Sequence, residues 1–285
     1  MLKITKDTFT QRQIMERSDF ECYHYWDPVP PVVDFHEHEF YEVFFFLSGD
    51  VSYSIEGRTY QLRPGDILLT DNRDIHKPEV RPGKPYERYV IWIEPAFLTR
   101  VNTMGSDLTR CFTDASEKKY KRIRPESSVM SRLKGICEKM LRNRDEEEFG
   151  SGTLSYIYLV EFLVYLNRAY FATPEDIRKD VTENEKINEV VAYINDNLAD
   201  DLTLDLLADT CFVSKSHLAH QFKLYIGLTL YQFIIKKRVT VARNMIREGA
   251  PVMEACMRCG FNDYSNFLKA FKREFGRSPK EFMLR

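Results

Sequence analysis

The stretch CFVSKSHLAHQFKLYIG, Cys211–Gly227, returns forty-nine residues later as GFNDYSNFLKAFKREFG, Gly260–Gly276. At that offset Phe212 maps to Phe261, Ser216 to Ser265, Phe222 to Phe271, Lys223 to Lys272, Gly227 to Gly276 and Phe233 to Phe282, with Leu218 to Phe267 as a conservative match. Each copy reads as helix, tight turn, helix. Ser214 and Asp263 stand where the second helix of each copy needs an N-cap, and Gly227 and Gly276 where it needs a left-handed stop. Two such units in tandem are a double helix-turn-helix.

The second helix of such a unit needs an apolar stripe for its own domain and a polar stripe for base edges. Leu218 with Phe222, and Phe267 with Phe271, lie four residues apart and are expected to face inward. The opposite faces carry Lys215, Ser216, Ala219 and His220 in the first copy, and Tyr264, Ser265, Leu268 and Lys269 in the second; these are the candidate base-facing residues. Lys223, Lys272 and Arg273 fall a turn later and suit phosphates. Between the copies, LYQFIIKKRVTVARNMIR, Leu230–Arg247, reads as one helix, about 27 Å long at 1.5 Å rise per residue. A rod of that length can hold two recognition helices in successive major grooves, which lie ~34 Å apart.

Charge points the same way. The net charge of −2 hides an asymmetry: from Cys211 onward, fourteen Lys and Arg face five Asp and Glu, so a +9 tail follows a body of −11. A basic end on an acidic body suits a nucleic-acid-binding module joined to something else. Six scattered cysteines without a secretory leader fit reduced thiols in a cytoplasmic protein, with Cys256 and Cys259 as core residues. No apolar run is long enough for a membrane span, so no membrane partner is expected.

Residues 20–100 read as β, with short alternating runs such as VSYSI and DILLT between turn signals. From Ser127 the spacing becomes helical in SSVMSRLKGICEKMLRNR and GTLSYIYLVEFLVYLNRAYF, and a polar link, TPEDIRKDVTENEK, follows. The expected fold class is multidomain α+β. It comprises an N-terminal arm and β domain over 1–125, a helical pair and linker over 126–183 that also offers a dimer contact, and an all-α tandem helix-turn-helix domain over 184–285.

FHEHEFYEVFFFLSGDV, 35–51, reads as one strand on which His36, His38 and Glu42 share a face with Phe40, Phe44 and Phe46. That makes a pocket of polar groups with an aromatic floor. His24 has no assignable partner and reads as a surface or satisfied histidine.

The residues 184–285 resemble the DNA-binding domain of the AraC/XylS family of bacterial transcription regulators, most closely in GFNDYSNFLKAFKREFGRSP, Gly260–Pro279. The resemblance implies a sequence-specific DNA-binding regulator. One departure is His220, where the family usually has an arginine; a neutral histidine cannot grip guanine bidentately. The stretch His36-x-His38, three residues, Glu42, then six to Gly49 resembles the first cupin motif, and RPGDILLTDNRDIH, with Pro64, Gly65 and His76, resembles the second. That resemblance implies that the domain over 1–125 is a cupin-like β-barrel, which would bring His76 beside His36, His38 and Glu42 as a set suited to Mn, Fe, Ni or Zn.

Three readings of the pocket compete: a small-molecule effector site (a sugar is the family's suggestion), a divalent metal site, or a buried hydrogen-bonded cluster. A barrel joined to a two-headed DNA reader is more economically a switch than a catalyst. The expected protein is therefore a cytoplasmic, non-enzymatic regulator that binds double-stranded DNA and a small-molecule effector, forms a homodimer and requires no cofactor. The alternatives are a metal-dependent cupin enzyme with a DNA-localising tail and an architectural DNA binder with an inert barrel.

Overall fold

The computed structural model describes residues 6–9, 14–17, 19–102, 105–144, 148–173 and 181–283. Parts of the expected arm (1–5, 10–13 and 18) and linker (174–180) lie outside them. The chain divides into two compact units, with the boundary between Thr182 and Glu183.

The first unit is built from β1 (Phe20–Asp27), β2 (Tyr41–Ser48), β3 (Val51–Ile55), β4 (Arg58–Gln61), β5 (Ile67–Thr70), β6 (His76–Val80) and β7 (Tyr86–Ile93). One sheet runs β1-β7-β2-β5 and ends on β8 (Arg122–Ile123); β6, β3 and β4 are neighbours in the other. Alternation along β2 explains its unbroken apolar run. Phe44 and Phe46 enter a core between the sheets with Tyr53, Tyr60, Tyr86 and Trp92. Val43 and Phe45 point the other way, into a second core with Tyr89, Ile91 and Ile93. Both faces of Val43–Phe46 are buried, so that run carries no polar positions to alternate with.

Helices cover that outer face: α1 (Pro95–Val101), α2 (Arg110–Glu117), α3 (Ser127–Arg144) and α4 (Ser151–Ala172). Leu133, Ile136 and Met140 of α3, and Leu159, Phe162, Leu163 and Leu166 of α4, share one core with the sheet. The helical pair expected as a connecting segment is thus packed as a layer on the barrel. The strand expected over 35–51 is shorter: β2 starts at Tyr41, and His36 joins the barrel through an isolated bridge to His76.

The second unit is all helical: α5 (Glu185–Asp196), α6 (Leu204–Thr210), α7 (Lys215–Ile226), α8 (Leu230–Arg247), α9 (Val252–Arg258), α10 (Tyr264–Phe275) and α11 (Pro279–Met283). Ser214 caps α7 by accepting from the His217 amide, and Asp263 caps α10 by accepting from Asn266. Gly227 and Gly276 close both helices in the left-handed conformation. Leu218, Phe222, Phe267 and Phe271 are buried, and α8 is one continuous helix whose Thr229–Gln232 capping box fixes its start.

The repeat breaks in its turns. The Val213 amide donates to the Ala208 carbonyl as that of Phe261 donates to Cys256, so the first helices align at an offset of forty-eight. The second turn carries one more residue. Phe212, expected to match Phe261, instead matches Gly260: its φ is +56° and it is 92% exposed, whereas Phe261 is 8% exposed.

Candidate functional site

The pocket between the sheets is assembled from several segments. His38 and Glu42 flank the start of β2, His76 opens β6, and His36 lies beside it with the rings 4.3 Å apart. His38, Glu42 and His76 bring one potential ligand atom each to within 4.8 Å of one another; His36 is half-buried and stands outside that group. Of the three phenylalanines expected as an aromatic floor, Phe44 lines the cavity, while Phe40, stacked on the His38 ring at 4.1 Å, and Phe46 lie in the core outside its lining. The cavity measures about 150 Å³, a size that takes a small ring-sized molecule.

The histidine rings are oriented by the backbone. Nδ1 of His38 lies 2.9 Å from the Phe40 carbonyl and Nδ1 of His76 2.9 Å from that of Asp74, and His36 does the same with Asp34. A carbonyl only accepts, so each Nδ1 carries the proton and, in the neutral ring, Nε2 keeps the lone pair. The Nε2 atoms of His38 and His76 are buried without a hydrogen-bond partner. They lie 3.6 and 4.0 Å from the Glu42 oxygens, too long for hydrogen bonds. Glu42 accepts from Trp92 Nε1 at 2.7 Å and from the Tyr53 hydroxyl at 3.3 Å. Burial pushes its carboxyl up, but the His38 interaction and the neighbouring histidines hold it at about 2, so it is ionised.

These residues fit a divalent transition metal. Two buried imidazole lone pairs and a carboxylate converge, and each ring is fixed by a second hydrogen bond from its far nitrogen. His38, His76 and Glu42 would hold the ion, with His36 as a fourth ligand only after movement.

Burial pushes His76 well below the ordinary histidine range and lowers His24 too, even though Glu87 pairs with His24 Nε2 at 2.9 Å. His24 is thus a buried, paired histidine. In the unfolded chain both rings protonate near pH ~6.5. Below that pH the unfolded state binds protons that the fold refuses, so stability falls as pH falls. Thermal unfolding between pH 7.5 and 5.5 should show the barrel losing up to roughly 1.4 kcal/mol per pH unit through His76, and His76→Gln should flatten that slope. A profile equally steep in the variant contradicts the assignment.

Several pocket residues were not among the candidates. Tyr86, Arg88, Val90 and Trp92 all line the cavity from β7, and their shared parity in YERYVIWI was available as a signal. Phe9, which packs edge-on against Tyr25, also lines it; nothing in its local sequence marks that role.

In the helical unit, Lys215, Ser216, Ala219, His220, Tyr264, Ser265 and Lys269 are exposed, as are Lys223, Lys272 and Arg273. Lys215 is held by Asp205 of α6. Leu268 differs: it is half-buried against the Phe267–Phe271 core, which leaves it on the flank of the face where a base contact was expected.

A β-barrel pocket joined to paired, capped helix-turn-helix units defines a ligand-binding domain coupled to a DNA-binding domain. Comparison with known families agrees: residues 21–157 match the AraC-like ligand binding domain and 207–285 a helix-turn-helix domain. The chain belongs to the AraC-type family of transcriptional regulators. It is 25% identical over 261 residues to the HTH-type transcriptional activator RhaS of Escherichia coli (strain SMS-3-5 / SECEC), covering 90% of each chain. Among solved structures it is similar to ToxT from Vibrio cholerae, with a TM-score of 0.37, 13% identity and coverage of 94% of this chain and 98% of that one. It is also similar to the C-terminal domain of AraT, a response regulator from Geobacillus stearothermophilus, with a TM-score of 0.35, 25% identity and coverage of 35% and 85%. Among the described residues no helix is long and apolar enough to cross a membrane.

Proposed function

We propose that the barrel is a sensor whose small-molecule ligand, bound among His36, His38, Glu42, Phe44 and His76 above Phe40, changes how the protein engages double-stranded DNA. The observation that carries the reading is the coexistence of an aromatic-walled polar cavity with two exposed helix faces on one chain. A ligand shifts that engagement only by binding one arrangement better than the other. In this reading the barrel senses and does not catalyse, and a sugar is one candidate ligand because aromatic walls beneath polar groups suit it. Homodimerisation through α4 belongs to the proposal: Leu154 and Ile157 lie exposed on one side of its first turns. Selection of duplexes from a random pool by the whole protein should enrich a two-block motif; a pool that never enriches removes the sequence-specific reading.

A second reading is favoured by the unpartnered Nε2 atoms of His38 and His76: a divalent metal occupies the pocket, as effector or as part of its recognition. Elemental analysis of purified protein should then find one equivalent of Zn, Mn, Fe or Ni that a His38→Ala, His76→Ala double variant loses. Wild-type protein that stays metal-free after incubation with each ion removes it. Turnover of a small substrate dependent on Glu42 would instead favour a cupin enzyme.

A further inference from the structure

The two recognition helices do not owe their mutual placement to α8 alone. Arg238, midway along α8, donates from Nε to the Leu198 carbonyl at 2.9 Å and from a terminal nitrogen to the Asp200 carbonyl at 2.6 Å. Leu198 and Asp200 belong to the loop between α5 and α6, ahead of the first helix-turn-helix. Gly260, in the turn that leads into α10, abuts the same loop. A Cβ placed there would lie 2.4 Å from the Leu198 carbonyl oxygen, 2.9 Å from the Arg238 guanidinium and 3.0 Å from the Ala199 carbonyl oxygen. The φ of Gly260 is +81°, which also disfavours a side chain. Glycine is therefore required twice over at this point, for its conformation and for the close approach.

The junction thus has three parts: the loop of the first half, the turn of the second half and the guanidinium between them. A lone helix can flex and twist along its length, and the sites it carries drift with it. Two charge-assisted bonds from a planar fork to two carbonyls of one loop remove that freedom more firmly than a single ammonium would. Lys236, two residues earlier on α8, is paired with Glu274 of α10, so α10 is anchored to the same rod. Arg238 also lines a concavity that continues to Asn266, Lys269 and Arg273 of α10. A second concavity that it shares reaches Ala219 of α7.

We infer that Arg238 is a positioning residue: seated against Gly260, it sets the separation of α7 and α10 and with it the half-site spacing that the protein accepts on DNA. This rests on α7 and α10 being the DNA-reading helices. Base preference within each half belongs to residues on those helices, whereas the spacing between halves belongs to the junction.

The test is parallel selection from one pool of random duplexes by the wild-type protein, Arg238→Met and Arg238→Lys, with thermal melts of each. The wild type should recover two motifs at a single separation. Arg238→Met should recover the same two motifs at separations spread over at least two neighbouring values, and Arg238→Lys, with one donor group, should fall between. A tenfold wild-type penalty for one inserted base pair should shrink to about threefold or less in Arg238→Met. Should Arg238→Met melt too low to assay, the lysine variant carries the comparison alone. An unchanged single separation in every folded variant overturns the proposal. Loss of one motif in a folded variant also overturns it, since Arg238 would then read DNA itself. Failure of the wild type to enrich any paired motif would strike the assignment of the reading helices, a separable result.

Discussion

Phe271→Ala is expected to destabilise the second helix-turn-helix by about 3–5 kcal/mol and to abolish DNA binding while leaving the barrel folded. Phe271 is fully buried and meets the rings of Phe267, Phe275 and Phe282 at 5.6, 4.7 and 5.9 Å. It packs in a core with Val239, Ala242 and Ile246 of α8, so the cavity would open where α10 rests on the rod. Domains of this size hold only about 5–15 kcal/mol of net stability. Calorimetry should therefore show the transition of the helical unit moving down and the barrel transition holding. A single shared transition that moves as one would mean that the two units unfold together.

Lys269→Ala and Lys223→Ala are expected to fail differently. Lys269 stands on the exposed face of α10, one turn after Ser265, and Lys223 stands on α7 beyond the candidate base-facing set. Losing a base contact costs ~1–3 kcal/mol, so Lys269→Ala should weaken a selected site roughly 5- to 150-fold and random DNA far less. Losing a phosphate contact weakens every sequence alike, so Lys223→Ala should reduce affinity on both substrates and lower the salt slope by about one. Equal losses on both substrates for Lys269→Ala would mean that α10 presents another face.

How much of this was legible depended on how local each signal is. The caps Ser214 and Asp263, the stops Gly227 and Gly276 and the full length of α8 lie in the sequence because helix ends are set by adjacent residues. The turns escape a fixed offset because the second carries one extra residue, so Phe212 takes the exposed left-handed position that Gly260 holds in the second copy. The strand expected over 35–51 begins only at Tyr41. His36 and His38 reach the pocket through an irregular segment pinned by the His36–His76 bridge, a pairing forty residues apart that no periodicity reveals. The apolar run of β2 concealed its alternation because helices bury the second face, and α1, with two adjacent buried residues in seven, is too short to show a helical period. Tyr86, Arg88 and Trp92 could have been found from parity on β7; Phe9 could not.

The central claim is that α7 and α10 enter successive major grooves on one face of a duplex. Guanine-methylation interference on a selected duplex tests it most directly, because N7 is exposed in the major groove alone. The account predicts two interfering blocks whose centres lie about 10 base pairs apart on the same face. A single block, or two blocks on opposite faces of the helix, would contradict it.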